Sequence, residues 1–115
     1  MTTTLNTDKT TFLVESLVEQ LNDRFKVDSI ESGHSVYTQV EYECGRKYLK
    51  LWTYLVGSEG RIRGRSCYAF VDKETGNVYK PASYKAPAKG IRFQIDQLAN
   101  QPDICDPYGS FLYVR

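Results

Sequence analysis

Acid–base and nucleophilic machinery is scarce in this chain of 115 residues. It holds one histidine, His34, and three cysteines, Cys44, Cys67 and Cys105. The cysteines are odd in number, widely spaced and form no C-x-x-C pair. That argues against a disulfide framework and against a Cys/His metal site. No phosphate-binding G-x-x-x-x-G-K-[ST] loop, dinucleotide G-x-G-x-x-G turn, G-x-S-x-G elbow or H-E-x-x-H pair occurs. His34 lies in Glu31-Ser-Gly-His-Ser35, a turn composition, and reads as a solvated polar residue rather than a general base. Nothing implies a metal or a cofactor. The expectation is a protein that is not an enzyme and that binds rather than converts its ligand.

Long apolar runs are also missing. No stretch approaches the ~18 apolar residues of a membrane span. No basic flank followed by an apolar run marks a leader, and three thiols without a pairing pattern suit a reducing cytoplasm. Repeats and low-complexity tracts are absent too, so a single domain over 1–115 is expected. Residues 1–6, mostly threonine, are expected to lack structure. A chain of this size buries roughly 65% of its unfolded surface, enough for a core without staples.

What the sequence does contain is a lopsided charge distribution. The net charge is +1, yet residues 1–45 carry three Lys/Arg against eight Asp/Glu, residues 46–92 eleven against three, and residues 93–115 one against three. A basic middle between acidic flanks either packs against them or concentrates anions at one surface.

Periodicity predicts an α+β fold, with an N-terminal helix packed on an antiparallel meander of four to five strands and short helical turns near the C-terminus. Over residues 9–25, Phe12, Leu13, Leu17, Val18, Leu21 and Phe25 recur at helical spacing, with Thr7 or Asp8 as N-cap. Residues 35–43 alternate as a strand, as do 46–56, where Tyr48, Lys50, Trp52 and Tyr54 oppose Leu49, Leu51, Thr53 and Leu55. A turn at Gly57–Gly60 leads to a third strand over 61–71, with a bulge expected at Gly64. A loop over Asp72–Asn77 leads to a short strand at Val78–Lys80. Pro81 and Pro87 stop the ladder, and a short helical turn is expected near 86–90. Residues 93–100 suggest another turn, and 108–114 a last strand.

Three features suit an anionic ligand. The segment 80–92 carries Lys80, Lys85, Lys89 and Arg92 with Ser83 and Tyr84 between them, among small residues that let a ligand reach the backbone. Arg61, Arg63 and Arg65 share one face if no bulge intervenes, and need counter-charge from the acidic helix or from a bound anion. Tyr48, Trp52 and Tyr54 on one strand, with Tyr68 and Phe70 on the next, would form an aromatic wall on which bases stack, each stack worth roughly 1–3 kcal/mol. Each feature also has an ordinary structural explanation, as solvated loop, paired surface charge or core.

The run Gly76–Arg92, with Lys85-Ala-Pro-Ala-Lys89 at its centre, and the closing Asp106–Arg115 resemble the first Thoeris anti-defence family, the phage "sponge" proteins. The similarity covers residues 66–115, and 1–65 in general layout. It implies an oligomer in the host bacterial cytoplasm that sequesters cyclic ADP-ribose isomers, and in some members cyclic oligonucleotides, without cleaving them. It places Lys80, Lys85, Lys89, Arg92 and Arg115 near phosphates, and Tyr84 and Tyr108 against base or ribose. Nanomolar capture is about −12 kcal/mol. Charge-assisted hydrogen bonds at roughly 1.5–3 kcal/mol each, plus stacking, reach that figure only where water is excluded, which favours a site shared between subunits. The competing readings are a nucleic-acid-binding accessory protein, a protein–protein inhibitor or minor structural protein, and a cyclic-nucleotide hydrolase.

Overall fold

A computed structural model of the protein describes residues 2–62, 64–83, 85–105 and 112, and the side chains of that set apart from residues 2–8 and 102. One long helix, α1 (Thr2–Glu31), is followed by β1 (Tyr37–Cys44), β2 (Tyr48–Gly57), β3 (Gly60–Arg61), β4 (Ser66–Asp72), β5 (Asn77–Tyr79), β6 (Phe93–Gln94), α2 (Ile95–Asn100) and a 3-10 turn at Pro102–Ile104. The sheet is antiparallel, in the order β1-β2-β4-β5-β6, with β3 a two-residue stub paired to the end of β2. The expected α+β meander backed by an N-terminal helix is the observed architecture.

The helix is longer than its apolar period suggests. No glycine or proline interrupts residues 2–31, so the helical backbone takes in residues 2–6, expected to be unstructured, and runs past Thr7 and Asp8. It stops at Gly33, whose φ of 83° only glycine adopts without strain. There the Gly33 and His34 N–H groups donate to Ile30 and Ser29 carbonyls, a Schellman closure. The buried stripe is Val14, Leu17, Leu21 and Phe25. Phe12, expected in that stripe, is 66% exposed, because two residues from Val14 is about 200° around the helix.

The helix covers Val40, Leu49, Leu51, Ala69, Val71 and Val78 from the near face of the sheet, with Ile95, Leu98, Cys105 and Leu112 closing the core. Tyr42, on the same side, donates its hydroxyl to Glu15 on α1, and that bond together with burial raises the phenol pKa. The 108–114 strand expected from sequence lies outside the described residues except for Leu112, which is fully buried.

The edge strand β1 is closed by a side chain. Asn22 on α1 donates from Nδ2 to the Val40 carbonyl at 3.0 Å and accepts the Val40 N–H on Oδ1 at 2.7 Å. One carboxamide thus does the work of a neighbouring strand at a position 2% exposed. Asn22→Ala strands both backbone groups and should cost about 1–3 kcal/mol in urea unfolding, with Asn22→Asp, which keeps the acceptor, intermediate.

The single third strand expected over 61–71 is two strands, β3 and β4, with 62–65 between them. Gly64 lies in that connection and marks no bulge. The irregularity falls at Tyr68 instead, where Leu51 pairs with Ala69 and the next residue, Trp52, pairs with Cys67. The extra residue turns Tyr68 into the helix-side core beside Ala69.

The Asp72–Asn77 loop forms as expected. Asp72 Oδ1 accepts the Glu74 and Thr75 N–H groups at 2.9 and 3.2 Å, and Gly76 takes a φ of 76°. A Cβ on Gly76 would meet Ile95 Cγ2 at 3.0 Å, whereas one on Gly33 meets nothing within 4 Å. Gly33→Ala should therefore cost about 1–2 kcal/mol from backbone strain alone. Gly76→Ala adds overpacking of roughly 1–3 kcal/mol, and paired thermal melts should separate the two.

Candidate functional site

Strand alternation sets Tyr48, Lys50, Trp52 and Tyr54 on the sheet face away from α1. Register places Lys50 opposite Phe70, and Phe70 opposite Tyr79. The Tyr48 ring meets Phe70 edge-on at 5.6 Å and Tyr79 at 6.2 Å. Basic side chains lie on these rings. Arg65 Cζ is 3.9 Å from the Trp52 centroid and Arg61 Cζ 4.2 Å from Tyr54. Lys47 Nζ is 5.5 Å from Tyr48, and Lys50 Nζ is 5.6 and 5.5 Å from Trp52 and Phe70. Such contacts are worth roughly 0.5–2 kcal/mol each.

This differs from the expected aromatic wall in two ways. Tyr68 is on the other side of the sheet, and Trp52 and Phe70 are buried, with cations of the same chain resting on them. What the face offers a ligand is the outward side of its guanidinium planes and the ammonium groups beside them.

Arg65 is held rigidly. Its Nη1 donates to Glu41 Oε2 at 2.8 Å and its Nη2 to Glu43 Oε1 at 3.3 Å, while Trp52 Nε1 donates to the same Glu43 oxygen at 3.1 Å. Counter-charge for this arginine thus comes from β1, not from the acidic helix. Glu41 and Glu43 alternate on one face of β1, a signal visible in the sequence but without meaning until register set them beside Arg65. Arg61, on β3, and Arg65, in the connection before β4, rest on Tyr54 and Trp52 of β2, but not as alternate positions of one strand; Arg63 lies outside the described residues.

The 80–92 segment folds into a tight hairpin of its own. The Ala88 N–H donates to the Lys80 carbonyl at 2.8 Å and the Ala82 N–H to the Ala86 carbonyl at 3.0 Å. Pro81 and Pro87 sit directly opposite each other between those bonds. That is a non-hydrogen-bonded pair, so neither missing N–H is needed. The short helical turn expected at 86–90 does not form; a bridge residue and bends occupy those positions.

This hairpin and the start of β4 enclose an open cavity of about 330 Å³, lined by Ser66, Cys67, Pro81, Ala82 and Ser83. Of the expected ligand-binding residues Ser83 lines it, and its Oγ accepts the Lys85 N–H at 3.2 Å. Arg65 precedes Ser66 in the chain but does not line the cavity; its guanidinium lies over Trp52 and reaches Glu41 and Glu43 on β1. Lys85 and Lys89 are exposed on the hairpin and its exit; Lys80 and Arg92 are half-buried. None of these four lines the cavity. Arg92 Nε is shut off from solvent with no hydrogen-bond partner among the described residues. Tyr84, Tyr108 and Arg115 lie outside the described residues. Ser66, Cys67, Lys47 and Lys50 are site residues that sequence reasoning left unassigned, although Lys50 alternates with the aromatic positions of β2.

Burial pushes the Cys67 thiol pKa up, against the opposing pull of Lys50 and Arg65. The thiol is therefore held protonated at neutral pH and is a poor nucleophile.

A larger cavity of about 770 Å³ lies at the C-terminal end of α1, between Phe25, Val36 and Leu55. Its one arginine, Arg24, donates to the Cys105 carbonyl and pairs with Asp28 and Asp103 at 4.0 and 3.7 Å. His34 stands at its edge, exposed. Among the described residues no group of three or more His, Cys, Asp or Glu side chains is placed to hold a metal ion. Nor is any helix long and apolar enough to cross a membrane.

Fold and site together define a helix-backed antiparallel sheet whose free face is aromatic and cationic. The chain belongs to a family of unknown function, DUF7717, whose model matches residues 2–114. No curated protein and no solved structure matches it.

Proposed function

We propose that this protein binds a nucleotide-derived anion on the outer sheet face and holds it without cleavage. The observation that carries the reading is the cationic, aromatic outer face of β2, where Glu41 and Glu43 fix the Arg65 guanidinium over Trp52, with the cavity beside the 80–88 hairpin at the neighbouring start of β4. A base stacks on the outward plane of Arg65, and phosphates lie between Arg65, Lys50 and the hairpin lysines, with Ser66 and Ser83 hydroxyls donating. The lining supplies hydroxyls and a protonated thiol but no activated nucleophile, which favours capture over turnover.

The resemblance of residues 76–92 to the Thoeris sponges makes a cyclic ADP-ribose isomer the first ligand to test, and inhibition of bacterial anti-phage defence the consequence of holding it. At about 330 Å³ the cavity is near the lower limit for a small-molecule site. A second copy of the chain closing over the same face would complete it.

The test is a thermal melt of the purified chain with a cyclic ADP-ribose isomer, followed by heating and chromatography of the released ligand. At a hundredfold excess over Kd the fold gains about 2.7 kcal/mol, so the melt shifts upward and the ligand returns chemically intact. No shift with that isomer or with cyclic oligonucleotides rejects the reading; an altered ligand makes the protein a hydrolase.

A further inference from the structure

The cations on the outer face are aligned as well as clustered. Lys47 lies on Tyr48, Lys50 between Trp52 and Phe70, Arg65 on Trp52 and Arg61 on Tyr54, so four basic groups follow the direction of β2. Alternate residues of a strand are about 6.8 Å apart, and Tyr48 to Tyr54 spans about 20 Å. That row is longer than the cavity beside it and has the repeat of an extended polyanion. Two of its members are guanidinium planes lying on rings, and such planes accept an unstacked base. Glu41 and Glu43 neutralise much of Arg65 but fix its orientation, so Arg65 serves stacking while Lys47, Lys50 and Arg61 serve phosphates.

We infer that β2 is a track for single-stranded nucleic acid, whose sugar–phosphate chain follows Lys47, Lys50 and Arg61 while a base stacks on Arg65. A duplex keeps its bases stacked inside and offers nothing to that plane. The inference rests on the reading that this face takes base-and-phosphate ligands, and extends it from a small ligand to a polymer.

The test is fluorescence anisotropy of the full chain with 5′-fluorescein oligothymidylates of two, four and eight nucleotides, alongside the cyclic ADP-ribose isomer. Affinity should rise from two to four nucleotides and then level off, since about 20 Å is filled by a short strand. Three phosphate contacts predict roughly twentyfold weaker binding between 50 and 200 mM salt. Arg61→Ala and Lys47→Ala should each lower octamer affinity, and Lys47→Ala should flatten the salt dependence.

No octamer binding at 50 mM salt, no dependence on length, or displacement by duplex as readily as by single strand overturns the inference. If the isomer binds and the octamer does not, only the track is rejected. If neither binds, the outer-face reading falls with it.

Discussion

Phe70→Ala should lower the melting temperature by roughly 12–20 °C. Phe70 is on the sheet face that α1 does not cover, where an antiparallel sheet ordinarily meets water. Its exposure is nonetheless 0%. Tyr48 packs edge-on against it, at an interplanar angle of 88°, and the Lys50 ammonium lies over it. Truncation removes the ring from all of these, and phenylalanine to alanine in such surroundings costs about 3–5 kcal/mol. For a domain whose whole stability is about 5–15 kcal/mol, at about 4 °C per kcal/mol, that is a large fraction of the total. Phe70→Leu keeps most of the volume and loses only the aromatic and cation contacts, together roughly 1–3 kcal/mol. A Phe70→Ala change under about 1 kcal/mol would mean that the outer face is ordinary solvated surface, without the rigid floor a binding site needs.

Arg65→Ala should weaken binding of the cyclic ADP-ribose isomer by about 10- to 150-fold while lowering the melting temperature of the free protein by roughly 2–12 °C, through loss of the Trp52 cation–π contact and a screened ion pair. The two effects separate because they arise differently. Arg65 and Glu41 side chains are 34% and 33% exposed, so water screens their ion pair and it adds little to stability, roughly 0–1 kcal/mol. A bound anion excludes that water and takes a charge-assisted hydrogen bond from the same group, worth roughly 1.5–3 kcal/mol. Removing Arg65 also leaves Glu41 and Glu43 facing the ligand without their cation. Arg65→Lys keeps the charge and loses the planar fork, so it should recover only part of the affinity. Calorimetric titration of the three proteins checks this, and equal affinity in Arg65→Ala would move the site away from the Trp52 face.

The elements were legible in the sequence to different degrees. Leu17, Leu21 and Phe25 announced the helix, and the alternation through Tyr48–Val56 announced β2, because both periods are local and each is fixed by backbone geometry. The Asp72–Gly76 turn was readable for the same reason. The helix ends were not, since the apolar stripe marks only where α1 is covered, and its backbone continues to the first residue that breaks it.

The site was less legible. Lys80, Lys85, Lys89 and Arg92 looked like one cluster because they are close in sequence. Yet the Pro81–Pro87 pairing folds the segment back on itself, and of the residues proposed from that segment it brings Ser83 to the cavity. Tyr68 looked like a partner of Phe70 two positions away, until the bulge turned it into the core.

Residue order and type alone determined that this chain makes an N-terminal helix, a meander and a basic, aromatic middle, because those follow from side-chain periods and backbone preferences within a few residues. Only the tertiary structure decided which charges are matched and which rings are open. Glu41 and Glu43 meet Arg65 across a strand register 22 to 24 positions apart. Registers are chosen by how the whole apolar face fits against α1, a choice no local run of residues contains.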